Sequence, residues 1–285
     1  MKYIDLHVHS TASDGTLSPS EVVDHAVSLS LSAFALTDHD TVKGISAAKE
    51  RASYYKAIGT PIEVYSGVEI SAGYKEKDIH ILGLFVDEHN ELLNQSLENA
   101  LANRNQRNDK IIERFATLGV CITKEELLED APDSVITRAH FARVLYKRGI
   151  TTSIQEAFEK YLSDTAPCYI PREYITPEQA IGLILKAKGV PVLAHPLLYH
   201  LPQEELYHLI KRLKTAGLKG LEVYYSSNCG QDEVNLKALA SHFNLIASGG
   251  SDFHGSVKPQ IELGIGKGNL KIPYSVLQNL LNVKA

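Results

Sequence analysis

Residues 3 to 19 read YIDLHVHSTASDGTLSP. The first six are mostly apolar and have strand character, and the stretch then changes to small and polar residues. His7 and His9 stand two apart at the end of that run, so on a strand their side chains project from the same face. Asp14 follows in the turn-rich part. Ser18, Pro19 and Glu21 then open a helix, with a capping box and a proline in its first turn. This segment predicts a strand that delivers ligand-type side chains at its C-terminal end and passes directly into a helix.

The unit recurs outward along the chain. Apolar, β-rich runs appear as AFALT (33–37), IEVYSGVEI (62–70), IHILGLFV (79–86), VPVLA (190–194), GLEVYY (220–225) and LIASG (245–249). Helical patterns separate most of them: TPEQAIGLILKAKG (176–189) repeats the cap-and-proline device, and 203–217 and 231–243 have helical spacing. Strands alternating with helices predict an α/β protein with a mainly parallel sheet, closed or open. One link breaks the rule. Only SAGYKEKD (71–78) joins the third and fourth runs, and a parallel crossover needs about a dozen residues. These two runs therefore predict a hairpin, and symmetry about its turn places Glu69 opposite His80. Residues 91–165 hold helical patterns with no strand among them, so a helical insertion, a lid over the site, divides a barrel domain made of 1–90 and 166–285.

The composition is that of a globular protein: 285 residues, 44% hydrophobic and 22% charged. A net charge of −5 argues against duplex DNA as a partner. Cys121, Cys168 and Cys229 form no CxxC pair, which argues against a cysteine-zinc site and a disulfide scaffold. With no signal-like or bilayer-spanning apolar run, a cytoplasmic location and no membrane partner are expected. Nothing in the sequence specifies an oligomeric state.

The strand ends collect the chemistry. His7, His9 and Asp14 lie after the first run and His39, in LTDHD, after the second. Glu69 and His80 come from the hairpin, His195 from VLAHP, and Asp252 and His254 from SGGSDFH. A lone histidine after a strand is usually a loop residue. Six of the twelve histidines at strand ends beside carboxylates are a different matter. In a barrel the C-terminal strand ends share one mouth. Nine nitrogen and oxygen donors without a thiolate suit two or three divalent ions, Mn²⁺ first, then Zn²⁺ or Fe²⁺.

The segments DLHVHSTASDGTLSP, LTDHDT, GVEIS, HILGLF, AHP and SGGSDFHG, in this order, resemble the signature of the polymerase and histidinol phosphatase (PHP) superfamily. The resemblance implies a distorted (β/α)₇ barrel with a multinuclear metal site. It implies that His7, His9, Glu69 and Asp252 hold one ion and that Glu69, His80 and His195 hold a second. Asp14, His39 and His254 would hold a third. The SDGTLSP continuation and TRAHFARVL are most similar to a bacterial branch of nucleoside 3′,5′-bisphosphate phosphatases, AMP-type phosphatases and a 5′→3′ exoribonuclease. That branch writes a Gly-Arg-Pro-His core where this chain has Arg138, Ala139 and His140.

The expected chemistry is phosphate ester hydrolysis by a hydroxide bridging two ions. Arg138 and Arg172 are candidates to clamp a phosphate, since the planar guanidinium matches its oxygens. His140 and His254 are candidate proton donors, and Tyr224 a candidate to stack on a nucleoside. The expected partner is a small phosphorylated nucleotide or short single-stranded RNA, and the cationic stretch NRNQRNDK in the insertion fits such a partner. Three other readings remain: a histidinol-phosphatase-like small-molecule phosphatase, an amidohydrolase-type deaminase, and a metal-stabilised binding module. The deaminase loses ground because Asp252 is paired with His254 rather than isolated.

Overall fold

Seven strands form one sheet in chain order: β1 (Ile4–Val8), β2 (Ala33–Leu36), β3 (Glu63–Tyr74), β4 (Lys77–Leu84), β5 (Val190–Leu193), β6 (Gly220–Tyr225) and β7 (Ile246–Gly250). The structure, a computed structural model, describes residues 2–75, 77–129, 135–163, 165–171 and 175–284. Most strands are apolar on both faces and almost wholly buried, as parallel strands covered by helices must be. Strands β1 to β3 pair in parallel, as do β5 to β7. β4 runs antiparallel to both neighbours, so the expected hairpin is present. Because β4 is reversed, its first residues, rather than its last, meet the mouth formed by the other strand ends.

The sheet closes on itself. Asp252 N donates to His7 O (2.9 Å) and His9 N to Phe253 O (3.0 Å), joining the end of β7 to β1. Gly250 permits this approach, since a Cβ there would stand 2.3 Å from the Cβ of His7. The result is a distorted (β/α)₇ barrel.

In chain order the helices are α1 (Pro19–Ser28), α2 (Ile45–Ala57), α3 (Glu91–Thr117), α4 (Lys124–Leu127), α5 (Arg138–Lys147), α6 (Ile154–Ala157), α7 (Pro177–Lys186), α8 (Gln203–Ala216), α9 (Asp232–His242) and α10 (Tyr274–Asn282). The capping boxes foreseen at Ser18 and Thr176 both form. Ile181, Ile184, Leu209 and Leu213 of α7 and α8 pack on Ile81, Leu193 and Leu221 of the sheet.

Between β4 and β5 the described residues carry helices and no strand. The 27 residues of α3 span about 40 Å. Its start packs on the barrel through Leu93 and Leu97. Its end joins Ile111 and Phe115 to Phe141, Leu145, Leu162 and Cys168 in a separate apolar core. Midway, the buried Arg104 pairs with Asp40 at the barrel mouth and lies 3.3 Å from Ser71 Oγ. No helix among the described residues is long and apolar enough to cross a membrane.

Candidate metal centre and its cavity

Local hydrogen bonds aim each side chain. Asp38, directly after β2, accepts from Ser10 N (2.8 Å), Ser10 Oγ (2.8 Å) and Ser13 Oγ (2.6 Å). These bonds fold the segment after β1 into a tight loop and bring Asp14 beneath His39 and His254. His195 and Asp252 sit at φ 23° and 60°, a left-handed region that strains residues other than glycine. Glu222 accepts the His195 N–H at 2.7 Å and His7 O accepts that of Asp252, which holds both in place.

All nine ligand-type side chains foreseen from the sequence converge at the mouth. Glu69 lies at their centre. Its Oε2 lies 3.3 Å from His7 Nε2, 3.2 Å from His9 Nε2 and 3.1 Å from His39 Nδ1. Its Oε1 lies 2.7 Å from His80 Nδ1 and 3.1 Å from His195 Nε2. Asp252 Oδ1 closes the first group, 3.6 and 3.4 Å from His7 and His9. Asp14 Oδ1 lies 3.2 Å from His254 Nε2, and Asp14 Oδ2 lies 3.9 Å from His39 Nε2. The expected register is corrected, however. Glu69 pairs with Leu82, and His80 with Ser71, because only two residues separate the paired Tyr74 and Lys77. Glu69 and His80 meet as diagonal neighbours on one face.

The donor set fits cations. His7 Nδ1 lies 3.0 Å from a Glu222 oxygen and His254 Nδ1 lies 2.8 Å from Asp252 O. Both acceptors fix the proton on Nδ1 and turn the Nε2 lone pair toward carboxylate oxygens. Lone pair against carboxylate is repulsive unless a proton or metal ion stands between. Four buried atoms, His7 Nε2, His9 Nε2, His39 Nδ1 and Glu69 Oε2, have no hydrogen-bond partner among the described residues although they crowd together. Ligands about 2.1 Å from one ion and at roughly 90–109° to each other lie about 3.0–3.4 Å apart, close to the spacings seen here.

The charges agree. Burial disfavours a charged His7, yet Glu222, Glu69 and Asp252 outweigh it and hold its pKa well above the usual imidazole value. Against similar burial, Asp252 and Glu69 raise His9 to about 9, and Glu69 and Asp78 raise His80 to about 10. For His39 burial outweighs Glu69 and Asp14 and lowers the pKa to about 3. Burial also opposes ionisation of Glu69, Asp14 and Asp252, but the surrounding imidazoles hold Glu69 and Asp14 well below the carboxylate range. At Asp252 it is Lys258 first, and then His254, His7 and His9, that do so. Such a cluster gives up protons when it takes up cations.

A cavity of about 730 Å³ opens above the cluster. Asp14, His39, His80 and His254 line one side, and Arg104, Arg107 and Arg138 of the insertion line the other. Arg138 donates to Leu162 O (3.1 Å) and reaches to 3.9 Å from Asp78. Arg172 lies outside the described residues. Two of the expected residues stand away from the cavity lining. Tyr224 does not line the cavity; it packs beside Lys237 of α9, 4.7 Å from ring centre to Nζ. A register slip on β6 between Glu222 and Tyr224 reverses the alternation and turns Tyr225 inward instead. His140 likewise faces the start of its own helix, where its Nδ1 accepts Thr137 N (3.1 Å) in a capping box. The contacts of His254 suit a ligand rather than a proton donor.

Sequence reasoning missed Glu222, Tyr225 and Lys258. Tyr225 OH and Lys258 Nζ both donate to Asp252 Oδ2, at 2.7 and 2.6 Å. The one available signal was an acidic residue inside the apolar run GLEVYY.

The chain matches the family model described as the PHP domain over residues 5–267. It is 37% identical over 260 residues to the 5′-3′ exoribonuclease Rnm of Escherichia coli K12, covering 91% of this chain and 87% of that protein. It is 34% identical over 256 residues to a 3′,5′-nucleoside bisphosphate phosphatase of Chromobacterium violaceum, covering 89% and 88%. A solved structure from C. violaceum, described as an amidohydrolase with bound sulfate and no metal, superimposes with a TM-score of 0.88 at 30% identity, covering 99% of this chain and 96% of that one. Sequence, barrel and cluster agree: the chain belongs to the PHP-domain family and is a hydrolase of phosphate ester bonds.

Proposed function

We propose that the enzyme hydrolyses a nucleotide phosphate ester: a 5′-nucleotide, a 3′,5′-bisphosphate nucleotide or the 5′ end of a short single-stranded RNA. One observation carries the reading. Four residues of the ligand cluster, Asp14, His39, His80 and His254, line one cavity with three arginines of the insertion. The two relatives named for a ribonuclease and a bisphosphate phosphatase support it.

In this reading His7, His9, Glu69 and Asp252 hold one ion, Glu69, His80 and His195 a second, and Asp14, His39 and His254 a third. Mn²⁺ is our choice, ahead of Zn²⁺ and Fe²⁺. Bound ions supply Lewis acidity toward phosphoryl oxygens and lower the pKa of water from about 15.7 to roughly 7. The chain's own residues do the rest. Glu69 divides its oxygens between two groups of imidazoles. Arg138 offers its planar fork to the phosphate, with Lys258 and Lys267 adding positive charge along the wall. The insertion at 91–165 acts as the lid and keeps bulk water from the cluster.

The test compares Mn²⁺-loaded enzyme on AMP, a 3′,5′-bisphosphate nucleotide, a 5′-phosphorylated short RNA and histidinol phosphate. Phosphate or mononucleotide release from the nucleotides, stopped by EDTA, is expected. Turnover in excess EDTA, or histidinol phosphate as the best substrate, refutes the reading.

A further inference from the structure

β6 supplies none of the nine ligand-type side chains, yet two of its residues hold three of them. Glu222 is fully buried, with one oxygen 3.0 Å from His7 Nδ1 and the other accepting the backbone N–H of His195 at 2.7 Å. Three residues on, Tyr225 donates to Asp252 Oδ2. Residues three apart on a regular strand face opposite ways. The register slip after Glu222 removes that difference and turns both inward. A buried carboxylate is costly unless its oxygens are matched, and both partners of Glu222 belong to the cluster.

The two partners lie on different sides of Glu69. His7 faces Glu69 Oε2 at 3.3 Å and His195 faces Oε1 at 3.1 Å. Glu222 is therefore a second carboxylate beneath the first, touching one member of each group that Glu69 joins. We propose that Glu222 is a shared positioning residue that couples the loading of the two Glu69-bridged metal positions, while the Tyr225 hydroxyl braces Asp252 for one of them alone. The inference rests on the metal-holding reading given under Proposed function. Its logic is local. One Glu222 oxygen keeps the His7 proton on Nδ1 and frees Nε2 toward the cation. The other pins the backbone of His195 at φ 23° so that its ring meets Glu69. Glutamine has the same shape but replaces one acceptor with an NH₂, which sets donor against donor at His7 or at His195.

The experiment titrates metal-stripped wild type, E222Q and Y225F with Mn²⁺ by calorimetry, and counts retained metal by elemental analysis. E222Q is expected to weaken two positions together, by about 10–100-fold each, the effect typical of groups that orient a ligating histidine. Y225F is expected to weaken one. Wild-type affinities in E222Q, or a loss confined to one position, overturn the proposal. Should circular dichroism show E222Q unfolded, E222D replaces it. E222D keeps the carboxylate but is one methylene shorter, and must also lower both affinities together. Wild-type protein that binds no Mn²⁺ overturns the metal reading itself, an outcome distinct from either of these.

Discussion

Glu69 and His80 meet diagonally across the β3–β4 hairpin: Glu69 pairs with Leu82 and His80 with Ser71, yet Oε1 and Nδ1 are 2.7 Å apart. The other oxygen of Glu69 faces His7, His9 and His39. Because one carboxylate serves both groups, Glu69→Gln should disable them together. We expect kcat/KM to fall by roughly 10³-fold, equivalent to several kcal/mol of lost transition-state stabilisation. Retained Mn²⁺ should fall with it. Steady-state kinetics and elemental analysis check both, and a variant with full metal content and activity would contradict the central role of Glu69.

Arg138 should act on binding. On the proposed reading, each charge-assisted hydrogen bond from its guanidinium to a phosphate is worth about 1.5–3 kcal/mol. Arg138→Ala is expected to raise KM for a nucleotide substrate by about 10–100-fold, with a smaller change in kcat. Arg138→Lys should recover little, since the bidentate fork is lost. An unchanged KM removes Arg138 from the phosphate site.

Closure of the barrel makes a prediction about stability. A methyl at position 250 would meet the Cβ of His7 at 2.3 Å and its backbone nitrogen at 2.4 Å. Neither neighbour is the flexible end of a side chain. Gly250→Ala should cost about 3 kcal/mol or more. Chemical denaturation measures it, and a loss below about 1 kcal/mol would mean that β1 and β7 part easily.

The cysteines give a prediction with a definite pH sign. Burial raises the Cys168 thiol to about 11 where it packs against Ile111, Phe115 and Phe141 of the insertion's helices, whereas Cys121 and Cys229 are exposed. The thiolate is the reactive form, so at pH 8 roughly one part in a thousand of Cys168 is ionised. Alkylation followed by mass spectrometry should show two fast sites and one slow site, and the slow rate should rise as pH approaches 11. Three equal rates would mean that this core opens readily.

Much of the site was legible because strand ends carry ligands in a fixed order. The pair at His7 and His9 needed only the two-residue strand period, and the hairpin needed only the shortness of its link. What escaped the sequence depends on register. The place where Tyr74 turns back to Lys77 decides that Glu69 and His80 are diagonal neighbours, and no local propensity states it. Whether Tyr224 or Tyr225 turns inward depends on a slip that exists only against β7, which no local pattern in GLEVYY states. His140 was read as chemistry when its nearest donor was the backbone of its own cap. Glu222 is a single acidic residue in an apolar run, and only the folded barrel shows that both its oxygens are matched.

The insertion leaves the barrel after β4, returns before β5, and is built around its own apolar centre. Six of the nine cluster residues come from sequence before it and three from sequence after it; none lies within it. On the proposed reading, the groups that hold the ions and the arginines that meet the substrate's phosphate thus occupy different stretches of the chain. Drift among those arginines would then retune which molecules are admitted while the ligand set underneath stays the same.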